Sequence, residues 1–354
     1  MAGVSSSALS AAITRSGGLG SIAMAVHDLT QGVSTMEKAI DEFSSLVPSE
    51  LKRNVNFNFF CHDLTEQAHA PTEIQKTNWK ALYSHGFEQQ IELVELKKTN
   101  ISFREIELNY PTLYSRVIEL ILQYRPKVVS FHFGIPSRKT IETLQLNGID
   151  VFVCVTSVED AKLALEAGSK GLFCQGYEAG GHRGLFSFSK FDEKLSTRAL
   201  VKLVLQKFPD AFVVAAGGIM DSLDVKSYFA LGALAVLLGT AFIDTQESLT
   251  KGYVSKEAAK DLPAPTTMIG FVSGKVARCI HTPFIERLEG NFRDQDLPAY
   301  GYAYSAYKEI AAARKDPQFG FHLVGQGYRS IVGNGKSAEE VFQSLVEGYN
   351  GPTK

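Results

Sequence analysis

The segment Cys174–Gly184 reads CQGYEAGGHRG, with His182 set among Gly180, Gly181 and Gly184. Glycines on both sides let the backbone approach a flat ring closely. An imidazole placed there takes a proton, or holds an anion when it is protonated. Glu178 and Arg183 are placed to orient the loop. The competing reading is a solvated loop histidine. The crowding of glycines, and a position just after an apolar strand-like run, favour function.

Two further glycine turns carry a different chemistry. VVAAGGIMD holds Gly217, Gly218 and Asp221, and AVLLGTAF holds Gly239 and Thr240. Each follows a buried-strand pattern, one helical unit apart. Backbone N–H groups at such turns cradle a phosphate, and a side chain would hold the phosphate away. Neither a Walker loop nor GxGxxG spacing is present, so the pair fits the phosphate of FMN better than NAD. Three weaker signals accompany it. In VVSFHFGIP, strand alternation sends Val129, Phe131 and Phe133 one way and Ser130 and His132 the other. A polar pair facing a barrel interior suits contact with flavin or substrate, against a hydrogen-bonded core histidine. In NVNFNFF, Asn58 is an amide among phenylalanines that needs partners, from a flavin edge or from backbone. Tyr300, Tyr304 and Lys308 recur at helical spacing, a face that closes over an anionic substrate or simply packs.

Bringing these distant segments together requires a repeating scaffold. Apolar β-branched runs at Gly18–Met24, Asn54–Cys61, Lys127–Gly134, Asp150–Thr156, Gly171–Gly176, Ala211–Gly217 and Ala235–Thr240 predict strands. Amphipathic segments near Thr35–Leu46, Glu73–Gly86, Tyr114–Gln123, Arg138–Asn147, Ser157–Ala167, Thr197–Lys207 and Asp221–Ala230 predict helices, with Gly168 and Gly232 as stops. The alternation predicts an α/β protein of (β/α)8 TIM-barrel type. Seven strands are found, and the first strand of the barrel is expected before Met1. Residues 1–243 are assigned to the barrel, 244–324 to a mostly helical cap rich in Tyr and Pro, and 325–354 to a segment closing on the barrel. The long connection Ser84–Asn109 contains IELVELKK and ISFREIEL, whose alternation predicts a hairpin or strand insertion.

Composition narrows the classes. With 45% hydrophobic and 21% charged residues, the chain affords a sizeable core of ordinary globular kind. A net charge of -2 gives no global field toward nucleic acid or anionic membrane. Cys61, Cys154, Cys174 and Cys279 lack CxxC spacing and read as small buried hydrophobes in a reducing compartment. No metal site is expected: HExxH and paired carboxylates are absent, and His27, His62, His69, His85, His281 and His322 read as structural or surface residues. No run is apolar enough to span a bilayer, and the N-terminus lacks the basic start and apolar block of a secretory signal, so a cytoplasmic protein is expected.

Taken in order, MAGVSS, NFNFF, SFHFG, VTSVEDA, QGYEAGGHRG, AAGGIMD, LLGTAF, LPAYGYAYSAYK and GQG resemble the nitronate monooxygenase family over nearly the whole chain. Gly301 stands where that family usually has Pro, and Leu237 or Leu238 where Gln is common. The resemblance implies a barrel holding non-covalent FMN beneath a helical cap, acting on nitronates and O2. It implies that His182 is catalytic and that Tyr300, Tyr304 and Lys308 meet the substrate, and His132, from the strand alternation, is expected to join them. It implies that Met1, Ala2, Asn58, Thr156, Gly180, Gly181, Gly217, Gly218, Gly239, Thr240 and Gln326 line FMN. Two alternatives remain at this stage. One is an NAD(P)H-dependent FMN reductase of enoyl thioesters or quinones, and the other is a cofactor-free barrel remnant.

Overall fold

The computed structural model describes residues 1–350 except 2, 28–31, 64–69, 93–94, 97, 100, 187–190, 251, 291, 294–295 and 332–334. Ala2 and His69 therefore lie outside the described residues. The strands are β1 (Gly20–Ala23), β2 (Val55–Phe60), β3 (Val128–His132), β4 (Asp150–Val155), β5 (Gly171–Gln175), β6 (Gly181–His182), β7 (Phe212–Ala216), β8 (Ala235–Leu237), β9 (Thr266–Ile269) and β10 (Ala277–Ile280). Seven of them form one curled sheet in the order β1-β2-β3-β4-β5-β7-β8, every pair parallel. β1 and β8 are its edges. β6, β10 and β9 form a separate antiparallel sheet.

The local sequence explains the repeat. After β3, β4, β5 and β7 a short polar side chain opens the next helix by accepting backbone N–H groups. Ser137 caps Arg138–Leu146, Ser157 caps Val158–Glu166, Ser196 caps Thr197–Lys207 and Asp221 caps Ser222–Ala230. Each such cap stabilises its helix by about 1 kcal/mol. The helices end at Glu166 and Ala230, just before Gly168 and Gly232.

The two faces of the sheet separate by the period of two. Phe57, Phe59, Val129, Phe131, Val151, Val153, Leu172, Val213 and Ala215 point outward and are almost fully buried under the helices. Val128, Phe152, Phe173 and Val214 point inward and fill the barrel floor, with the Phe152 ring 5.3 Å from Phe173 and 5.2 Å from Phe212. Burying one such ring is worth roughly 1.5–3 kcal/mol. Above that floor the inward positions turn polar, at Asn58, Ser130, His132 and Gln175.

Two expectations are corrected. Ser84–Asn109 contains no strand among the described residues; Phe103–Asn109 is a helix capped by Ser102, because its apolar residues Phe103 and Ile106 repeat at helical spacing. Phe133 does not continue the outward row. Its φ of 75° breaks the strand alternation and swings the ring back over the strand ends. Among the described residues of 244–324 stand three α-helices (Tyr253–Ala258, Pro283–Leu288, Ala303–Arg314) and also the strands β9 and β10. Their apolar cluster includes Phe284, Leu288 and Tyr307, and it takes in Trp79, Tyr83 and Phe87 from the helix Glu73–Gly86 and the residue after it. The cover over the barrel is thus drawn from two separate parts of the chain. Pro111–Tyr124 is the helix that covers the sheet between β2 and β3. All four cysteines are free and buried, and burial raises their pKa values. Among the described residues no helix is long and apolar enough to cross a membrane.

Candidate active site

His182 lies on β6, held by pairing with Ala277 and Arg278 of β10. The backbone around it is pinned on every side. His182 O accepts from Gln175 Nε2 at 3.0 Å and from His132 Nε2 at 3.2 Å. Gln175 Oε1 accepts from Gly184 N at 2.8 Å, and Arg183 N donates to Val276 O at 2.8 Å. The Arg183 guanidinium is buried and gives 3.0 Å bonds to both oxygens of Asp192 and a 2.6 Å bond to Gln175 O. A loop so constrained presents its imidazole at a fixed angle, which catalysis requires.

Around the ring stand Tyr300 at 5.5 Å, Tyr304 at 5.8 Å and Phe133 at 6.0 Å between centroids. Lys308 Nζ lies 4.1 Å from the Tyr304 ring centre. Lys275 Nζ lies 5.0 Å from that of Phe133 and 5.9 Å from that of Tyr300. His132 Phe60 and Phe133 meet edge to face or tilted, with His132 and Phe133 4.3 Å apart. Burial pulls the His182 pKa down to about 3, assisted by His132, Lys275 and Lys308. Burial likewise pulls His132 to about 4, with Lys275 adding to the shift. Both imidazoles are neutral at pH 7. Burial raises Tyr304 to about 12 and lowers Lys308. Of the two chemistries open to His182, the neutral ring suits proton acceptance; positive charge for an anion comes from the lysines instead.

Beside this cluster the glycine turns converge. Gln326 N donates to Glu178 O, and Gly325 N donates to Thr240 Oγ1, both at 2.9 Å. A Cβ on Gly180 would come within 2.4 Å of Gly325 N, one on Gly217 within 2.9 Å of Ala179 Cβ, and one on Gly218 within 3.1 Å of Glu178 Cβ. Met1 Sδ lies 3.1 Å from where a Gly239 Cβ would stand. The N–H groups of Gly218, Gly239 and Thr240 meet no acceptor among the described residues, and all three residues keep partial exposure. Three unclaimed donors at the ends of β7 and β8 fit an anionic group such as a phosphate.

The expected substrate residues His132, Tyr300, Tyr304 and Lys308 are thus gathered around His182. The turns bearing Gly180, Gly181, Gly217, Gly218, Gly239, Thr240 and Gln326 are gathered beside it, with Met1. Asn58 lies on the inward face of β2, its Nδ2 giving a 2.9 Å bond to Ser130 Oγ. Thr156 differs: its hydroxyl and its N–H both go to Asp160 Oδ2, at 2.9 and 3.2 Å, so the side chain is committed within the protein. Sequence reasoning missed Phe133, Ser273 and Lys275, and it set His62 aside as structural or surface, although its buried ring lies 5.5 Å from Tyr300. Ser-Gly-Lys in a turn carries no distinguishing signal; only the β9–β10 hairpin brings it to His182.

Comparison with known proteins adds to this geometry. Residues 1–348 match a family model described as nitronate monooxygenase. A putative nitronate monooxygenase of Saccharomyces cerevisiae is 39% identical, over 94% of this chain and 84% of that protein. The nitronate monooxygenase of Pseudomonas aeruginosa is 34% identical, over 99% of this chain and 95% of that protein. The solved structure of a nitroalkane oxidase from Streptomyces ansochromogenes superposes with a TM-score of 0.80 at 26% identity, covering 98% of this chain and 93% of that one. FabK from Thermotoga maritima superposes with a TM-score of 0.68 at 23% identity, covering 99% and 90%, a likeness of fold.

Proposed function

This chain belongs to the nitronate monooxygenase family, and from that premise we propose that it uses FMN and O2 to oxidise alkyl nitronates to carbonyl compounds and nitrite. The observation that carries this reading is the neutral His182, enclosed by Tyr300, Tyr304, Lys275 and Lys308 and adjoining a cradle of unclaimed N–H groups.

FMN fits that cradle. Gly218, Gly239 and Thr240 would hold its phosphate, with Gly180, Gly181, Gly217, Gln326, Met1 and Asn58 along the rest. Thr156 would act there only after releasing Asp160. When bound, FMN supplies the redox chemistry between the nitronate and O2. The protein supplies position and charge. Lys308 and the Tyr300 and Tyr304 phenols hold the negative nitro oxygens, and His132 meets the substrate from the β3 end. The aromatic cover keeps water away and strengthens each of these contacts. A neutral nitroalkane must first lose its α-proton, and His182 accepts it.

The test is a His182→Asn variant assayed for oxygen uptake and nitrite release with propyl-2-nitronate and 2-nitropropane, beside its visible spectrum. We expect FMN to stay bound and turnover of the neutral nitroalkane to fall by about 10²-fold or more. Wild-type turnover of both compounds in that variant removes His182 from the reaction.

A further inference from the structure

We infer that Ser273 is a positioning residue that fixes His182 in the tautomer with its proton on Nε2, leaving the Nδ1 lone pair to take the substrate's proton. This rests on the function proposed above. Ser273 is fully buried at the tip of the hairpin between β9 and β10. Its Oγ stands 2.9 Å from His182 Nε2 and 2.8 Å from Lys275 O, and Lys275 N approaches the same oxygen at 3.3 Å.

The hydroxyl has one proton and two lone pairs. The Lys275 carbonyl can only accept, so the serine proton goes to it. Oγ is then left as an acceptor, for Lys275 N–H on one side and His182 Nε2–H on the other. Reversing the serine would give up its 2.8 Å bond to the Lys275 carbonyl and place the imidazole proton on Nδ1. Nothing among the described residues hydrogen-bonds His182 Nδ1. The same one-proton count fixes His132, whose Nε2 must donate because its partner, His182 O, is a carbonyl.

The turn is braced for this task. Gly274 N donates to Gly270 O at 2.8 Å, and a Cβ on Gly274 would come within 2.3 Å of Tyr300 N. Tyr83 Oη donates toward Phe271 O and Val272 O at 3.3 Å. Ser273 therefore holds a set distance from both His182 and the Tyr300 segment. A neutral imidazole with the wrong nitrogen protonated has no lone pair to offer at the reacting side, so a tautomer-setting partner matters only for substrates that must lose a proton.

The experiment is 15N–1H NMR of the FMN-loaded full chain labelled at histidine ring nitrogens, with His182 assigned by comparison with His182→Asn. Wild type and Ser273→Thr should show protonated Nε2 and unprotonated Nδ1; Ser273→Ala should shift toward the Nδ1–H form. In parallel, kcat for 2-nitropropane should fall about 10²-fold in Ser273→Ala and recover in Ser273→Thr, while kcat and KM for propyl-2-nitronate, which has no α-proton to lose, stay near wild type. An Nδ1–H tautomer in the wild type, which requires no variant to fold, overturns the inference. So does an unchanged Nε2–H tautomer in Ser273→Ala. If wild type turns over neither compound, the proposed function fails, while the tautomer spectra still decide the role of Ser273.

Discussion

Replacing Gly180 by Ala tests whether the cradle and the histidine loop are one packed unit. The new Cβ would stand 2.4 Å from Gly325 N and from Val324 C, and 2.9 Å from Val324 Cα. All three atoms are backbone, so no side chain can swing aside. Ordinary contact begins at 3.4 Å, and the 180 and 324–325 segments must part by about 1 Å. Overpacking of this kind costs about 1–3 kcal/mol. The separation also stretches Gln326 N to Glu178 O and Gly325 N to Thr240 Oγ1, each bond contributing about 1 kcal/mol. We expect a stability loss of about 3 kcal/mol in chemical denaturation, and FMN binding weakened at least about tenfold, since 1.4 kcal/mol is a factor of ten. The contrast is Gly239→Ala. There the nearest atom is Met1 Sδ at 3.1 Å, the end of a flexible side chain. That variant should keep its stability yet lose flavin, because the methyl group stands at the turn proposed to hold the phosphate. Denaturation curves and the ratio of flavin to protein absorbance read both effects. A Gly180→Ala protein with wild-type stability and full flavin content would refute the packing argument.

Acidification should destabilise the protein through its site histidines. Burial holds His182 and His132 in the folded protein at about 3 and about 4, below the ordinary value of 6.5, so the unfolded chain binds more protons between those values. Their contribution is fully present above pH 6.5 and is lost as pH falls toward 4. Thermal unfolding followed against pH should show this slope, and it should flatten in a His132→Asn, His182→Asn double variant. Lys308→Met should raise the KM for propyl-2-nitronate by about tenfold or more, because a bond from a charged group is worth about 1.5–3 kcal/mol. The KM for neutral 2-nitropropane should barely move, and steady-state oxygen uptake distinguishes the two; equal effects on both would mean that Lys308 does not meet the anion.

The repeat of strands and helices was legible because it is written locally. Alternating apolar residues, Ser137, Ser157, Ser196 and Asp221 at helix starts, and glycines after helix ends act within a few residues of themselves. The glycine turns at Gly217 and Gly239 and the loop of His182 were visible for the same reason. What the chain does with Ser84–Asn109 was not, since alternation and helical spacing coincide over a run as short as ISFREIEL; packing decided for helix. Phe133 was misplaced because one left-handed residue redirects a side chain that periodicity sends the other way.

Sequence alone determined the barrel repeat, the glycine turns that follow β7 and β8, and the glycine-rich loop that carries His182. Tertiary structure alone decided His182's protonation and partners. The His182 pKa near 3 follows first from burial and then from His132, Lys275 and Lys308, which come from three separate parts of the chain. Ser273 reaches the ring from 91 residues away. Local propensity acts along the chain and is readable there, whereas desolvation and charge act through space, across distances that only the folded chain defines.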